Sequence, residues 1–343
     1  MMTKKERRFL MILSAVLILA GVMILVVGCS VTKTHFRVSR QGDEIVLERV
    51  PNAITQAETA GAGASLGASE SRAASGSTAG LPTRWLELPA GGNSGLTHWA
   101  QMDGRSQRNY TMLYDPSVYA SYWVAYPLCA SHLGTGRTET WAYDPSVEVG
   151  QQTKVSSGSY GVSFTGEVYQ SNYYARGHQI PNADRNGNEE MMAQTYYSTN
   201  MTPQIQNGFN GGIWAKLEAG VRGMVPAGDT LYIVTGAAFR KAGGSETVQT
   251  IVSTRDGKTL PVPNYYWKAI LKVKRSADGS VADAQTLGFW LPHKEIKGAT
   301  YPEFTVSVDQ IEAWTGFDMF PSLPDSVENA CEANSSLDAF LAF

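Results

Sequence analysis

The chain has 343 residues, 43% of them hydrophobic, which is enough to bury one substantial core and leaves one or two domains open. Its net charge is −3, and residues 81–343 carry 19 Lys and Arg against 25 Asp and Glu, a net −6. This balance excludes a uniformly basic surface. Any binding of nucleic acid must therefore use basic groups gathered locally, or be weak and sensitive to salt.

The first 29 residues have the pattern of a secretory signal. Lys4, Lys5, Arg7 and Arg8 precede an uncharged, mostly apolar run over residues 9–27. The following Val26-Val27-Gly28-Cys29 resembles a bacterial lipobox, in which cleavage before Cys29 leaves a lipidated N-terminal cysteine. An uncleaved signal anchor is the alternative, because this run approaches the ~20 residues that span a bilayer. Both forms predict export and a membrane tether, in the periplasm or at the cell surface.

Residues 30–80 predict a short hairpin followed by a flexible tether. Apolar residues alternate on both sides of Gln41-Gly42-Asp43, which is typical of two short strands joined by a turn. Residues 55–80 are almost entirely Ala, Gly, Ser and Thr, a composition that cannot offset the entropy of ordering. The folded domain is therefore expected over residues 81–343.

The folded domain is predicted to be α+β. Residues 122–128, 231–235 and 267–273 are rich in aromatic and β-branched residues and predict strands, with Gly and Pro between them. A helix is predicted over residues 211–222, and a weaker helical signal lies at residues 309–314. Mixed strands with few helices favour an α+β architecture.

Two cysteines lie beyond the lipobox, at Cys129 and Cys331. An exported protein can form a disulfide between them, and closing so long a loop would stabilise the fold. Two separate buried thiols are the equal alternative.

A short stretch combines the side chains that metal-assisted cleavage of a phosphodiester requires. Ala175-Arg176-Gly177-His178 is followed about twenty residues later by Asn200-Met201-Thr202-Pro203-Gln204. Arginine matches the geometry of a phosphate, and histidine can take a proton from water near neutral pH. Amide oxygens are hard ligands for Mg²⁺.

This stretch resembles the Arg-Gly-His motif of the DNA/RNA non-specific endonucleases, which carry a ββα-metal finger. The commoner form of that motif begins with Asp, where this chain has Ala175. Further similar blocks follow in the family's order across roughly residues 110–324: Asn200–Gln204, Asn210 before Trp214–Glu218, Leu231–Gly236, Val262-Pro263 before Lys268, and Thr315–Phe317. The resemblance implies a central, mostly antiparallel sheet with the ββα element on one face.

The resemblance also implies a role for individual residues. His178 would be the general base that deprotonates the attacking water. Arg176 would stabilise charge on the phosphate in the transition state, and Arg137 would bind substrate, with a solvated loop arginine as the equal alternative for Arg137. Glu218 would hydrogen-bond waters on the metal, with Arg222 facing the phosphate, and Asn200 would order the loop rather than contact the metal.

Asn210 is the predicted ligand of Mg²⁺, with Mn²⁺ or Ca²⁺ as alternatives. The interval from Asn200 to Asn210 is one residue longer than the family's pattern, so Asn207 is a competing candidate, and a helix cap is a third role for Asn210. If the segment is helical from its start, Asn210 shares one face with Trp214, Glu218 and Arg222.

The sequence therefore predicts a membrane-tethered, Mg²⁺-dependent endonuclease that cleaves DNA and RNA to 5′-phosphorylated products, with no protein partner indicated. Two alternatives remain open. One is a phosphodiesterase or phosphatase acting on smaller phosphate esters, which the net negative charge favours. The other is a non-catalytic nucleic-acid-binding lipoprotein, such as a DNA-uptake component, in which Ala175 marks a decayed site.

Overall fold

The computed structural model describes residues 35–41, 44–50 and 85–343, with side chains described from residue 85 onward. The predicted signal sequence or anchor, Cys29 and the Ala/Gly/Ser-rich tether lie outside the described residues. None of the described helices is both long and apolar enough to cross a membrane.

The described residues form fourteen strands and five α-helices. The strands are β1 (His35–Gln41), β2 (Glu44–Val50), β3 (Leu96–Met102), β4 (Arg105–Asp115), β5 (Ala120–Leu128), β6 (Ser163–Phe164), β7 (Asn172–His178), β8 (Met201–Ile205), β9 (Leu231–Ala238), β10 (Thr250–Val252), β11 (Thr259–Pro261), β12 (Tyr265–Arg275), β13 (Val281–Pro292) and β14 (Thr305–Val306). The helices are α1 (Glu189–Gln194), α2 (Ala215–Gly223), α3 (Val308–Thr315), α4 (Asp325–Cys331) and α5 (Leu337–Ala342).

A seven-stranded antiparallel sheet forms the centre of the fold, in the order β14-β13-β12-β9-β5-β4-β3. A smaller antiparallel sheet has the order β6-β7-β8, and β1 with β2 and β10 with β11 form separate antiparallel pairs. The α+β class with a large antiparallel sheet is confirmed.

Hydrophobic cores lie on both faces of the large sheet, which explains why its middle strands are mostly apolar on both faces. In β12, Trp267, Ala269 and Leu271 enter one core, while Tyr266 and Ile270 enter the other. Helix α3 covers the first face with Val308 and Ile311. Helix α2 covers the second face with Leu217 and Val221, beside Trp214.

The small sheet is fixed to the second face of the large sheet and leads directly into α2. The buried hydroxyl group of Tyr266 donates to Pro203 O at 2.9 Å and lies 2.9 Å from Thr202 Oγ1, so β12 holds β8 in place. Strands β7 and β8 followed by α2 thus form the two-strand and helix arrangement that the sequence resemblance implies.

Several sequence predictions for elements differ from the structure in extent. The three predicted strands are present within β5, β9 and β12, and the signal at residues 309–314 corresponds to α3. The helix predicted from residue 211 begins at Ala215, because Gly212 has non-helical backbone angles (φ −121°, ψ −112°). Helices α1, α4 and α5 were not predicted; they have six or seven residues each, too short for a clear helical period.

Of the two alternatives for Cys129 and Cys331, the disulfide is not formed in this structure, where both are free thiols. The Cys129 sulfur lies 3.2 Å from Ser131 Oγ, at the end of β5. Cys331 is buried at the end of α4, in the core that α3 covers, where burial raises its pKa to about 12. The alternative of two separate thiols describes the structure.

Candidate active site

Strand β7 places Arg176 and His178 on one face, since alternate side chains of a strand project to the same side. Gly177 lies between them and faces the opposite side, against β8. A Cβ atom at Gly177 would lie 2.3 Å from Gln204 Cγ, so only glycine leaves room for the buried Gln204 side chain. The glycine of the Arg-Gly-His motif therefore has a packing role.

His178 lies in an aromatic enclosure. Its ring centre is 5.5 Å from that of Trp141 and 5.2 Å from that of Tyr196. Burial, together with the positive charges of Arg137 and Arg176, lowers the pKa of His178 to about 3. The imidazole is therefore neutral at physiological pH and able to accept a proton.

Four buried polar atoms around His178 have no hydrogen-bond partner among the described residues: His178 Nε2, Arg176 Nη1, Trp141 Nε1 and Tyr196 OH. Buried polar atoms are almost always paired in folded proteins, because leaving one unpaired costs about 1–3 kcal/mol. Such a concentration around one histidine is typical of a site whose partners come from a ligand.

Two arginines border this enclosure. The Arg176 guanidinium carbon lies 3.6 Å from the centre of the Trp141 ring, and burial lowers the pKa of Arg176. Arg137 lies 5.7 Å above Tyr196 and donates from Nη1 to Asn182 Oδ1 at 3.2 Å. Its side chain is 53% exposed, so it remains accessible to a substrate.

Asn200 holds the turn that follows His178. Its Oδ1 accepts a hydrogen bond from Ile180 N at 3.0 Å, and its Nδ2 donates to Ile180 O and Thr195 O at 2.9 and 2.8 Å. The side chain is fully buried and both ends of its amide are engaged. In this geometry Asn200 orders the loop.

Helix α2 contributes Glu218 and Arg222 to a second charged group. Arg222 Nη1 donates to Asp184 Oδ1 at 2.9 Å, and Tyr126 OH donates to Asp184 Oδ2 at 2.8 Å. Burial raises the pKa of Glu218 to about 7, although the nearby Lys268 and Arg222 lower it in part. Lys268 is itself buried, and its Nζ donates to Thr235 Oγ1 at 3.0 Å.

The short turn Asn182–Asp184 joins the two groups. Arg137 bonds to Asn182 at its start, and Arg222 bonds to Asp184 at its end. Because three consecutive residues span at most about 10 Å, the histidine enclosure and the charged group of α2 belong to one site. The turn follows the Arg-Gly-His strand, so the motif positions both the histidine enclosure and the charged group of α2.

Asn210 does not share a helical face with Glu218 and Arg222, so that prediction is wrong. It lies in the irregular segment Gln206–Trp214, before α2 begins. Its Nδ2 donates to Gln206 Oε1 at 2.8 Å, which fixes the amide, and its Oδ1 accepts no hydrogen bond from the described residues. The described contacts of Asn210 do not include His178, Arg176 or Glu218.

The competing Asn207 is used differently. Its backbone N–H donates to Asn172 Oδ1 at 2.8 Å, and its Nδ2 donates to Ser171 O at 3.0 Å. Asn172 in turn donates from Nδ2 to Asn207 O at 3.0 Å. Asn207 therefore links the end of β8 to the start of β7.

The sequence did not identify Trp141, Tyr196 and Asp184 as site residues. The rings of Trp141 and Tyr196 enclose His178 from distant positions in the chain, and no local sequence pattern marks them. Asp184 lies only six residues after His178, and this closeness in sequence was the one signal that could have identified it as a site residue.

A cluster of three acidic residues lies elsewhere. Ligand atoms of Asp309, Glu312 and Glu332 lie within 4.8 Å of one another. They belong to α3 and the end of α4, on the face of the large sheet opposite α2. Glu312 Oε1 already accepts a hydrogen bond from Met319 N at 2.6 Å. This cluster is separate from the site around His178.

Comparison with known proteins assigns the chain to a family. The model of the DNA/RNA non-specific endonuclease family matches residues 93–326, about two thirds of the chain. The chain belongs to this family. It is therefore a nuclease, a hydrolase that acts on nucleic acids, as the sequence motif predicted.

Individual relatives agree with this assignment. A nuclease of Nostoc sp. is 28% identical over 66% of this chain and 76% of its own length. A nuclease of Serratia marcescens is 29% identical over 64% of this chain and 75% of its own. A chain of the solved EndoG/EndoGI complex is similar in fold, with a TM-score of 0.51 and 22% identity over 68% of this chain and 89% of that chain.

Ala175 replaces the motif's usual Asp at a position facing away from Arg176 and His178 in this nuclease. It pairs with Gln204 of β8, whose buried amide lies against Gly177. An Asp at this position would lie beside that amide rather than beside His178. The replacement therefore changes the support of β7 and leaves the imidazole environment intact.

We expect the stability of the metal-free nuclease to fall between pH 5 and pH 8 because of Glu218. Its folded pKa of about 7 lies above the unfolded value of 4.5, so the stabilisation is present below pH 4.5 and is lost as the pH rises through 7. Denaturant unfolding in EDTA should show wild type losing roughly 2 kcal/mol over this range relative to Glu218→Gln. A parallel pH dependence of the two proteins would contradict the raised pKa.

Proposed function

We propose that this nuclease hydrolyses internal phosphodiester bonds of DNA and RNA with little sequence preference, using His178 as general base and a divalent cation. The observation that carries the proposal is the group of unpartnered buried atoms around His178 Nε2, beside two arginines. A phosphate and an attacking water would supply the missing partners of these atoms.

His178 would take one proton from the attacking water. The water oxygen forms a bond to phosphorus while the bond from phosphorus to the 3′-oxygen breaks, which leaves a 5′-phosphate on one product. The 3′-oxygen departs with the electron pair of that bond and takes a proton from solvent to become a 3′-hydroxyl, and the His178 imidazolium returns its proton to solvent. A neutral imidazole is required for this step, and the low pKa of His178 maintains it. Binding of an anionic phosphate would raise that pKa, which favours the proton transfer once the substrate is present.

Arg176 and Arg137 would bind the phosphate and stabilise the negative charge that develops on its non-bridging oxygens. Arg176 Nη1 is a buried, unpaired donor, and Arg137 is held above Tyr196 with much of its side chain exposed. Arg222 donates to Asp184, so it is less available than Arg176 and Arg137 to contact the phosphate directly. Fixed donors of this kind stabilise a transition state more than mobile ones.

The residues present fit a single hard cation held at Asn210. Its Oδ1 is a free acceptor, while the hydrogen bond from its Nδ2 to Gln206 fixes which end of the amide is offered. One protein ligand suffices for Mg²⁺, which keeps most of its waters; Mn²⁺ and Ca²⁺ are the alternatives. When bound, the cation would supply Lewis-acid stabilisation of the phosphate. Glu218 would accept hydrogen bonds from its waters.

Incubation of the full, detergent-solubilised chain with supercoiled plasmid and with single-stranded RNA tests this proposal. We expect Mg²⁺-dependent degradation of both, loss of activity in EDTA, and products that a 5′-phosphate-dependent exonuclease digests. Intact plasmid together with cleavage of a small phosphodiester would favour the phosphodiesterase alternative. Nucleic-acid binding without cleavage under any of the three metals would favour the non-catalytic alternative.

We also propose that the nuclease is exported and tethered to a membrane through residues 1–29, which lie outside the described residues. The basic residues, the apolar run and the lipobox-like Val26–Cys29 support this location. Mass spectrometry of the membrane fraction should find Cys29 as a lipidated N-terminus; an intact residue 1 would favour the signal anchor.

A further inference from the structure

A cleft of about 590 Å³ lies beside the small sheet, outside the site described so far. It is lined by Phe164 of β6 and Tyr174 of β7, whose ring centres are 5.2 Å apart. His293 also lines the cleft, with its ring centre 6.3 Å from that of Tyr174. Aromatic rings therefore make up part of the lining.

The position of Tyr174 connects this cleft to the proposed active site. Tyr174, Arg176 and His178 alternate along β7, so their side chains leave the same face of the strand. At about 3.3 Å per residue, Tyr174 is about 13 Å from His178, a distance that a short extended oligonucleotide spans. Tyr174 and Trp141, which holds Arg176, also pack on one hydrophobic cluster.

The walls of the cleft suit a neutral, flat group better than a phosphate. Ile205 N donates to His293 Nε2 at 2.8 Å, so the other ring nitrogen carries the proton and donates to Pro263 O at 2.7 Å. Burial lowers the pKa of His293 to about 4, so the ring stays neutral. The Glu295 carboxylate is engaged by the backbone of Tyr169 at 2.8 Å and by Asn172.

Polar groups at the mouth of the cleft can serve the edge of a nucleobase. The side chain of Gln249 lines the cleft, with Oε1 3.5 Å from Tyr174 OH, which is a weak interaction that a ligand can replace. Lys294 and Glu167 are both exposed at the mouth and oppose each other in charge. The cleft therefore has no fixed buried cation among its described lining residues.

We propose that this cleft binds an unpaired nucleobase of the substrate strand, near the phosphate that His178 acts on. The base would stack on Phe164 and Tyr174, with its edge at Gln249. This inference rests on the proposed function, which places the cleaved phosphate at His178 and so sets the path of the bound nucleic-acid strand. It predicts a preference for single-stranded substrates. Stacking of this kind tolerates any base, which agrees with the family's lack of sequence specificity.

Fluorescence anisotropy in EDTA tests this inference on the full chain without cleavage. The probes are a labelled oligothymidylate and an oligomer of the same length that lacks bases. We expect Phe164→Leu and Tyr174→Leu each to weaken binding of oligothymidylate about 10-fold, as loss of one stacked base would. Binding of the abasic oligomer should not change. Tyr173→Leu is the matched control, because Tyr173 is exposed on the other face of β7.

Three other results are decisive. Equal weakening for both oligomers would overturn the subsite, because the loss would then be unrelated to bases. Unchanged binding of oligothymidylate in both variants, with melting temperatures near that of wild type, would overturn it as well. Base-dependent weakening in a protein that cleaves neither DNA nor RNA would support the subsite and reject the proposed function.

Discussion

We expect His178→Ala to lower kcat for cleavage of both DNA and RNA by about 10³-fold, within the range that general bases contribute. The variant removes the one neutral imidazole at the centre of the unpartnered atoms. KM should change little, because Arg176 and Arg137 contact Trp141, Tyr196 and Asn182 rather than His178. Steady-state kinetics on a defined oligonucleotide, with circular dichroism to check folding, measures this.

His132→Ala is the matched control for this variant. His132 is buried, and burial lowers its pKa to about 3, as it does for His178, but His132 lies beside Cys129. Both substitutions truncate an imidazole that burial keeps neutral, so a catalytic role is what separates them. His178→Ala activity within a few fold of wild type would remove His178 from the mechanism. Equal losses of kcat in both variants would attribute the effect to destabilisation.

The chemistry of the site was predictable where the necessary information is local. Arg176, Gly177 and His178 are consecutive, and a strand fixes their directions as soon as its pairing is known. Three of the seven strands of the large sheet, β5, β9 and β12, were predictable for a similar reason, since burial on both faces favours a locally apolar sequence; β3, β4, β13 and β14 were not predicted. Helix α3 was predicted only as a weak signal at residues 309–314; in the structure Ser307 caps it and Gly316 ends it in a left-handed conformation.

The contacts that assemble the site were not predictable, because they join distant parts of the chain. Lys268 acts on Glu218 from the middle of β12, and Trp141 reaches Arg176 from a loop without regular structure. One residue with an irregular backbone also invalidated the prediction that Asn210 shares a helical face with Glu218. Gly212, with φ −121° and ψ −112°, breaks the helix between Asn210 and Glu218, so an argument from helical spacing could not place Asn210.

We expect Asn210→Ala to lower activity at millimolar Mg²⁺ by at least about 10²-fold and to raise the Mg²⁺ concentration for half-maximal activity. The reason is that Asn210 Oδ1 accepts no hydrogen bond from the described residues, while its Nδ2 is held by Gln206 Oε1. The amide of Asn207 is oriented in the same way by Ser171 O, so the two asparagines must be tested side by side. Titration of Mn²⁺ by electron paramagnetic resonance measures metal binding independently of turnover. An unchanged Mn²⁺ affinity in Asn210→Ala would exclude it as the ligand.

Asn207→Ala distinguishes the two asparagines, since it removes the same group three residues earlier. Its Nδ2 bonds to Ser171 O, so the variant should lose about 1 kcal/mol of unfolding free energy while keeping its Mn²⁺ affinity. Gln206→Ala should fall between them, because it keeps the Asn210 ligand and releases its orientation. Loss of such an outer contact typically costs 10- to 100-fold in metal affinity. The reverse order, with Asn207→Ala losing the metal, would assign the ligand to Asn207.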